Sequence, residues 1–273
     1  MPRDALGGDR PMKVVIFCGG RGTRIKDVAD DIPKPLIPIG DRPILWHIMM
    51  RYAKYGMKDF VLPLGYKGWL IKEFFLNYQY FVSDITLSLD RNSQVAVHDV
   101  YPEQDWRITL AETGIETQTA GRLWRVRKYL EDVELFCVTY GDGVSDIDIG
   151  ALIEFHKSHD KIGTVTGVHP AGRFGVLETS HDGSFPVATT FSEKPQSLGG
   201  MINGGFFVFD HRLWDYLSED AAMPFEQEPL KRLARDGQLA VYEHLGFWQP
   251  MDTLREWKLL NSLWKSNKAP WMP

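Results

Sequence analysis

Three short stretches of this chain combine residue types that could hold phosphate groups. The first is Gly19-Gly20-Arg21-Gly22-Thr23-Arg24, directly after the apolar run Val14-Val15-Ile16-Phe17-Cys18. Glycines let backbone N–H groups approach an anion closely, and a loop at the carboxyl end of a strand is where open α/β sheets bind ligands. Arg21 and Arg24 add charge that suits a triphosphate. The loop fits neither of two better-known phosphate cradles. It lacks the Gly-Lys-Ser/Thr ending of a P-loop, and Ile25 stands where a dinucleotide fingerprint needs its third glycine. A plain glycine-rich turn is the alternative reading.

The second stretch is Pro33-Lys34-Pro35. Two prolines stiffen the backbone around one ammonium, which can then act as a point charge on a phosphate at little entropic cost. The third element is a pair of carboxylates far apart in sequence. Asp142 lies in Tyr140-Gly141-Asp142-Gly143, and Asp252 in Trp248-Gln249-Pro250-Met251-Asp252-Thr253. Together they offer hard oxygens to Mg²⁺, which takes one or two carboxylates plus substrate phosphates. Gly-Asp-Gly is also an ordinary turn, and Asp252 could equally cap the following helix. Glu193 and Lys194, in Phe191-Ser192-Glu193-Lys194-Pro195, and Asn203, in Met201-Ile202-Asn203-Gly204-Gly205, are groups that bind hydroxyl-rich ligands. His156 and His159 can share a helix face, expected to be a solvated one. The tryptophans, Trp248 among them, read as core and interface residues.

The elements that must position these groups follow from apolar spacing. Short β-branched runs predict strands at 14–18, 60–64, 85–89, 94–97, 108–110, 135–140 and 163–168. Helical spacing predicts helices over 44–56, 69–80, 121–130 and 149–159. This alternation argues for an α/β fold with a largely parallel sheet covered on both faces by helices. After Gly175 shorter strands follow, including 205–209, with helices near 212–217 and 229–236 and an amphipathic tail over 254–264. Residues 1–11 read as a flexible extension. Residues 12–273 read as one domain with a C-terminal elaboration.

Composition narrows the function. The 273 residues carry 31 Lys plus Arg against 36 Asp plus Glu, a net charge of −5, so no basic face for nucleic acid is expected. No apolar stretch approaches the roughly 20 residues of a spanning helix, so no membrane partner is expected. Cys18 and Cys137 each sit in an apolar run and read as small buried hydrophobes, which suits a cytoplasmic protein. A homo-oligomer is expected.

The glycine loop followed by Pro33-Lys34-Pro35 resembles the signature of the sugar-1-phosphate nucleotidyltransferases. Further segments resemble the cytidylyl-transferring branch of that family. They include Pro43-Ile44-Leu45-Trp46-His47-Ile48-Met49, Gly65-Tyr66-Lys67-Gly68, Gly172-Arg173-Phe174-Gly175, Glu226-Gln227-Glu228-Pro229-Leu230 and the Trp248 to Thr253 segment. The resemblance runs from about Met12 to Trp271.

The resemblance implies a Rossmann-like α/β fold with a mixed, mostly parallel sheet flanked by helices. It also implies Mg²⁺-dependent transfer of CMP from CTP to a sugar 1-phosphate, glucose 1-phosphate foremost, giving CDP-glucose and releasing pyrophosphate. It implies that Gly19, Gly20, Arg21, Gly22, Thr23 and Arg24 hold the nucleotide, with Arg24 on the β- and γ-phosphates. Lys34 would bridge the α-phosphate and the incoming sugar phosphate. Gly121 and Arg122 would lie at the base, Asp142 and Asp252 on Mg²⁺, and Gly175, Glu193, Lys194 and Asn203 on the sugar phosphate. Three departures from the family pattern stand out. Ile32 replaces the usual Lys before Pro33, Ala120 replaces a glycine before Gly121-Arg122, and His181 to Val187 differs near the sugar side. Another NTP, another sugar 1-phosphate, or a regulatory subunit that binds nucleotide sugars without catalysis are the alternatives.

Overall fold

A computed structural model describes residues 12–22, 25, 31–89, 94–98, 101–169, 176–182, 185–192 and 200–272. Residues 1–11, together with Thr23, Arg24, Gly175, Glu193 and Lys194, lie outside the described residues. The framework is a seven-stranded sheet. Its strands are β1 (Lys13–Phe17), β2 (Asp59–Leu64), β3 (Arg107–Glu112), β4 (Leu135–Tyr140), β5 (Gly163–Val168), β6 (Ile202–Asp210) and β7 (Leu239–His244). They lie side by side in the order β7-β5-β6-β4-β1-β2-β3. Every pairing is parallel except the two made by β6, which runs against β5 and β4. The expected mixed, mostly parallel sheet is what the chain builds.

The central strands are apolar throughout because both sheet faces are covered. Successive side chains point to opposite faces. Val14, Ile16 and Cys18 therefore join one core, and Val15 and Phe17 the other. The first core takes side chains from α1 (Ile44–Ala53), α2 (Gly68–Leu76), α4 (Ile149–Lys157) and α6 (Leu254–Lys265); the second takes them from α3 (Thr119–Val126) and α5 (Glu228–Arg235). Cys18 and Cys137 are free and buried, as expected, and burial pushes the Cys137 thiol up to about 12.

Several elements differ from the sequence reading. The helix expected over 69–80 breaks at Asn77 and restarts at Tyr78–Val82. Asn77 Nδ2 donates to the Glu73 carbonyl at 2.9 Å, a side-chain bond that competes with helix continuation. The helix expected over 121–130 ends its α-form at Val126 and finishes as a 3₁₀ turn, Arg127–Tyr129. His156 corrects the expectation of a solvated face. It is 3% exposed, and both it and His159 hydrogen-bond Thr164 Oγ1, at 2.9 and 3.0 Å. The C-terminal segment folds back onto the N-terminal half. Trp257 Nε1 donates to the Pro38 carbonyl, and buried Trp271 donates its Nε1–H to His47 Nδ1.

Candidate active site

β1 and β4 are neighbours, with Phe17 beside Tyr140. The glycine loop leaving β1 and the Gly141-Asp142-Gly143 turn leaving β4 therefore open into one crevice at the carboxyl ends of the parallel strands. The crevice is a cavity of about 320 Å³, and Gly20, Gly22, Lys34, Thr119, Tyr140, Asp142 and Asp252 line it.

Lys34 begins a 3₁₀ turn, Lys34–Leu36, that Pro33 enters in extended conformation. Its ammonium donates to Asp142 Oδ2 and to Asp252 Oδ1, each at 2.6 Å. Burial works to lower the Lys34 pKa, but the two carboxylates outweigh it and the net displacement is upward. The carboxylates are held together by the backbone. Gly143–Ser145 pairs antiparallel with Trp248–Pro250, and the Met251 N–H donates to the Asp142 carbonyl at 2.8 Å. Asp252 is not the cap of α6. Thr253 takes that place in a capping box with Glu256, which leaves the Asp252 carboxylate facing Lys34.

Two carboxylates share one ammonium, so the cluster carries surplus negative charge. That donor set fits a hard divalent cation, for which two carboxylates and oxygens of substrate are suitable ligands. Among the described residues no group of three or more His, Cys, Asp or Glu converges on a metal site. The remaining ligands would have to come from substrate phosphates or water.

Of the pair expected at the base, Gly121 leaves no room for a side chain: a Cβ there would lie 2.9 Å from the Asp220 carbonyl oxygen. Its smallness serves the packing of α3. Arg122 is 4% exposed and lies beneath the glycine loop. Its Nη1 donates to the Leu64 carbonyl and Thr113 Oγ1, both at 2.7 Å, and its Nη2 to the carbonyls of Gly19 at 3.1 Å and Ile115 at 3.2 Å. A Cβ on Gly19 would sit 2.1 Å from the guanidinium carbon, so only glycine lets the loop rest on this side chain. Burial, then Arg125, holds the Arg122 pKa below its usual value. Arg21 pairs with Glu116 at the rim, joining the glycine loop to the loop after β3. Thr23 and Arg24 lie outside the described residues.

Asn203 opens a smaller recess of about 40 Å³ beside the crevice, which also borders Asp142 and Tyr140. Asn203 Oδ1 accepts the Gly205 N–H at 2.8 Å. Gly205 has φ +79°, and a Cβ there would press into the Tyr140 ring at 2.6 Å. Trp248 Nε1 donates to the Gly204 carbonyl at 2.7 Å and lines the recess, so it belongs to the site as well as to the packing. Gly175, Glu193 and Lys194, the other expected sugar-phosphate residues, lie outside the described residues.

Three more residues that sequence reasoning left out belong here. Tyr140 donates to Glu226 Oε1 at 2.5 Å, and Thr119 Oγ1 donates to Glu226 Oε2 at 2.9 Å. Burial first, and then Glu226, push the Tyr140 phenol well above its usual range. Tyr140 stands in the Tyr140 to Gly143 stretch and Glu226 opens the Glu226 to Leu230 segment that carries the resemblance, but nothing in spacing joins the two, which lie 86 residues apart.

Residues 13–253 match the model of the family described as nucleotidyl transferase. The chain is 48% identical over 260 residues to the glucose-1-phosphate cytidylyltransferase of Salmonella typhi, covering 95% of this chain and 98% of that protein. It is equally similar to the enzyme of the same name from Salmonella typhimurium (strain LT2), with 48% identity over 95% of this chain and 98% of that one. Among solved structures, HddC from Yersinia pseudotuberculosis superposes with a TM-score of 0.64 at 22% identity, covering 93% of this chain and 99% of that one. This last likeness concerns the fold.

Proposed function

This chain belongs to the nucleotidyl transferase family, and on that footing we propose that it transfers CMP from CTP to glucose 1-phosphate, giving CDP-glucose and pyrophosphate. The observation that carries the reading is the convergence of Lys34, Asp142 and Asp252 at the mouth of the Gly19–Gly22 loop. The nucleotide and the sugar are taken from the two Salmonella relatives.

The sugar phosphate is already an oxyanion near neutral pH, so no general base is needed. One of its oxygens attacks the α-phosphorus of CTP; a new P–O bond forms as the bond to the β-phosphate breaks, and pyrophosphate departs with that electron pair. The obstacle is bringing two polyanions together, which charge neutralisation and positioning must overcome. Lys34 supplies a fixed cation where the two phosphates meet. Arg24 and Lys194 are assigned to the outer phosphates and the sugar phosphate. Arg122, held by four protein acceptors, sets the floor on which the glycine loop presents its N–H groups. Asp142 and Asp252 would hold a divalent cation, assigned as Mg²⁺, which when bound neutralises phosphate charge.

A homo-oligomer is the assembly we assign. Trp69, Leu76, Phe81, Leu87 and Leu89 are exposed large apolar side chains close together in sequence, a pattern that marks association surfaces. Light scattering on the purified protein tests this, and a monomer at all concentrations would remove it. No described helix is long and apolar enough to cross a membrane. The two free buried cysteines support a reaction in the cytoplasm.

The deciding experiment measures pyrophosphate release from each of four NTPs against a panel of sugar 1-phosphates. CTP with glucose 1-phosphate should give the highest kcat/KM. Turnover only with another NTP, or with no sugar phosphate at all, would overturn the reading.

A further inference from the structure

Glu226 stands between two walls of the site. Its segment is fastened to the start of α3. The Gln118 and Ala120 N–H groups donate to the carbonyls of Ala221 and Met223, and the Phe225 N–H donates to Thr119 Oγ1 at 2.7 Å. Because the Thr119 hydroxyl accepts from Phe225, its own proton points to Glu226 Oε2. From this anchored position the other carboxylate oxygen reaches across to the Tyr140 phenol. The Asn203 amide oxygen is committed to the Gly205 N–H, which leaves its amide N–H₂ for the recess that Asn203 and Tyr140 both line. A chain of hydrogen bonds therefore runs from Tyr140 through the Glu226 carboxylate to Thr119.

This chain touches two volumes. Thr119 lines the main crevice and Asn203 the smaller recess, while Tyr140 borders both. Glu226 itself is exposed. A carboxylate is the one side-chain type of this size that can accept two hydroxyl protons through two separate oxygens.

We propose that Glu226 is a positioning residue that ties the recess wall to the crevice wall, so that the two halves of a nucleotide sugar are held at one separation. The proposal rests on the reading of the crevice as the nucleotide side and the recess as the sugar side. A ligand that occupies one wall alone gains nothing from a fixed separation. A ligand that spans both gains the preorganisation in full.

The test uses Glu226→Gln and Tyr140→Phe in the full chain, with binding measured by calorimetry for CMP, glucose 1-phosphate, CDP-glucose, UDP-glucose and GDP-mannose. Gln keeps the shape of Glu but has one acceptor oxygen, so either Tyr140 or Thr119 loses its partner. Both variants should bind the whole nucleotide sugar about 10- to 100-fold more weakly, as one charge-assisted hydrogen bond predicts, while CMP and glucose 1-phosphate bind as they do to the wild type. An equal loss on CMP alone or glucose 1-phosphate alone would make Glu226 a local contact, and no loss on the whole ligand would remove it from the site; either overturns the proposal. Thermal melts confirm that both variants fold. Should the wild type prefer UDP-glucose or GDP-mannose, the cytidylyl reading fails while the bridge is scored on the preferred ligand. Binding of none of the three by the wild type would refute both.

Discussion

Lys34 and Asp142 are 108 residues apart in the chain and 2.6 Å apart in space, Nζ to Oδ2. Lys34 is also clamped between prolines, so removing its charge should leave its backbone in place. Lys34→Met should lower kcat by about 10²–10³ with much less effect on CTP affinity, because the charge acts where the two phosphates meet. Single-turnover kinetics beside CTP binding check this, and a near-normal kcat would sink the assigned role.

Asp142 and Asp252 are brought together by the Gly143–Ser145 and Trp248–Pro250 ladder and converge on one ammonium. Asp142→Asn and Asp252→Asn should each raise the Mg²⁺ concentration needed for half-activation. The double variant should lose little beyond the worse single one, since groups that act as a unit are not additive. Losses that simply multiply in a Mg²⁺ titration would mean the two carboxylates act separately.

Arg122 is a different kind of residue from Lys34, because its two terminal nitrogens already serve four acceptors. Arg122→Met should cost about 2–4 kcal/mol of stability by orphaning buried carbonyls. It should also raise the KM for CTP more than that for the sugar phosphate, because the loop that rests on it carries the nucleotide. A melting temperature equal to wild type would show that the four bonds contribute nothing.

Trp248→Phe keeps an aromatic ring, though a smaller one, and deletes the donor to the Gly204 carbonyl. The recess should loosen, and the KM for the sugar 1-phosphate should rise about 5-fold, the worth of one hydrogen bond near 1 kcal/mol. The KM for CTP should stay put. Steady-state kinetics with each substrate varied in turn decides between this and a purely structural tryptophan.

His47 and His156 are buried, and burial above all pulls each pKa from 6.5 down to about 4. In the folded protein both rings stay neutral down to that value, whereas unfolded histidines take up protons as soon as pH drops through 6.5. The unfolded state therefore binds more protons between those two values, and stability declines as pH falls through that window. Each ring can withdraw up to about 3 kcal/mol, at 1.36 kcal/mol per pKa unit. Melting curves at about pH 7.5 and about pH 5 should differ clearly, and His156→Asn should reduce the difference. A flat profile would mean the two rings are hydrated.

What the sequence made legible is what local patterns encode. The β1 run, the glycine loop, Pro33-Lys34-Pro35 and the Asp142 turn are each contiguous, and each stands where it was expected. The position of Asp252 opposite Lys34 could be suspected but not separated from helix capping until Thr253 was seen to cap α6. Glu226 with Tyr140, Trp248 with Gly204 and Arg122 with Gly19 escaped because each pair depends on sheet order rather than on spacing. His156 escaped because a polar side chain at helical spacing gives no sign that a buried Thr164 waits for it.

β6 is the strand that runs against its neighbours, and its first residue, Ile202, pairs with Val168, the last residue of β5. The chain thus leaves the sheet and rejoins it at the same rung. Val176–Asp182 and Phe185–Ser192, which lie between, pair with each other and form no part of the seven-stranded sheet. Closure cost grows only slowly with loop length, so a segment that departs and returns at one rung can change in length without shifting the register of the strands beside it. The reversal of one strand turns the connection into a replaceable part of an otherwise fixed sheet.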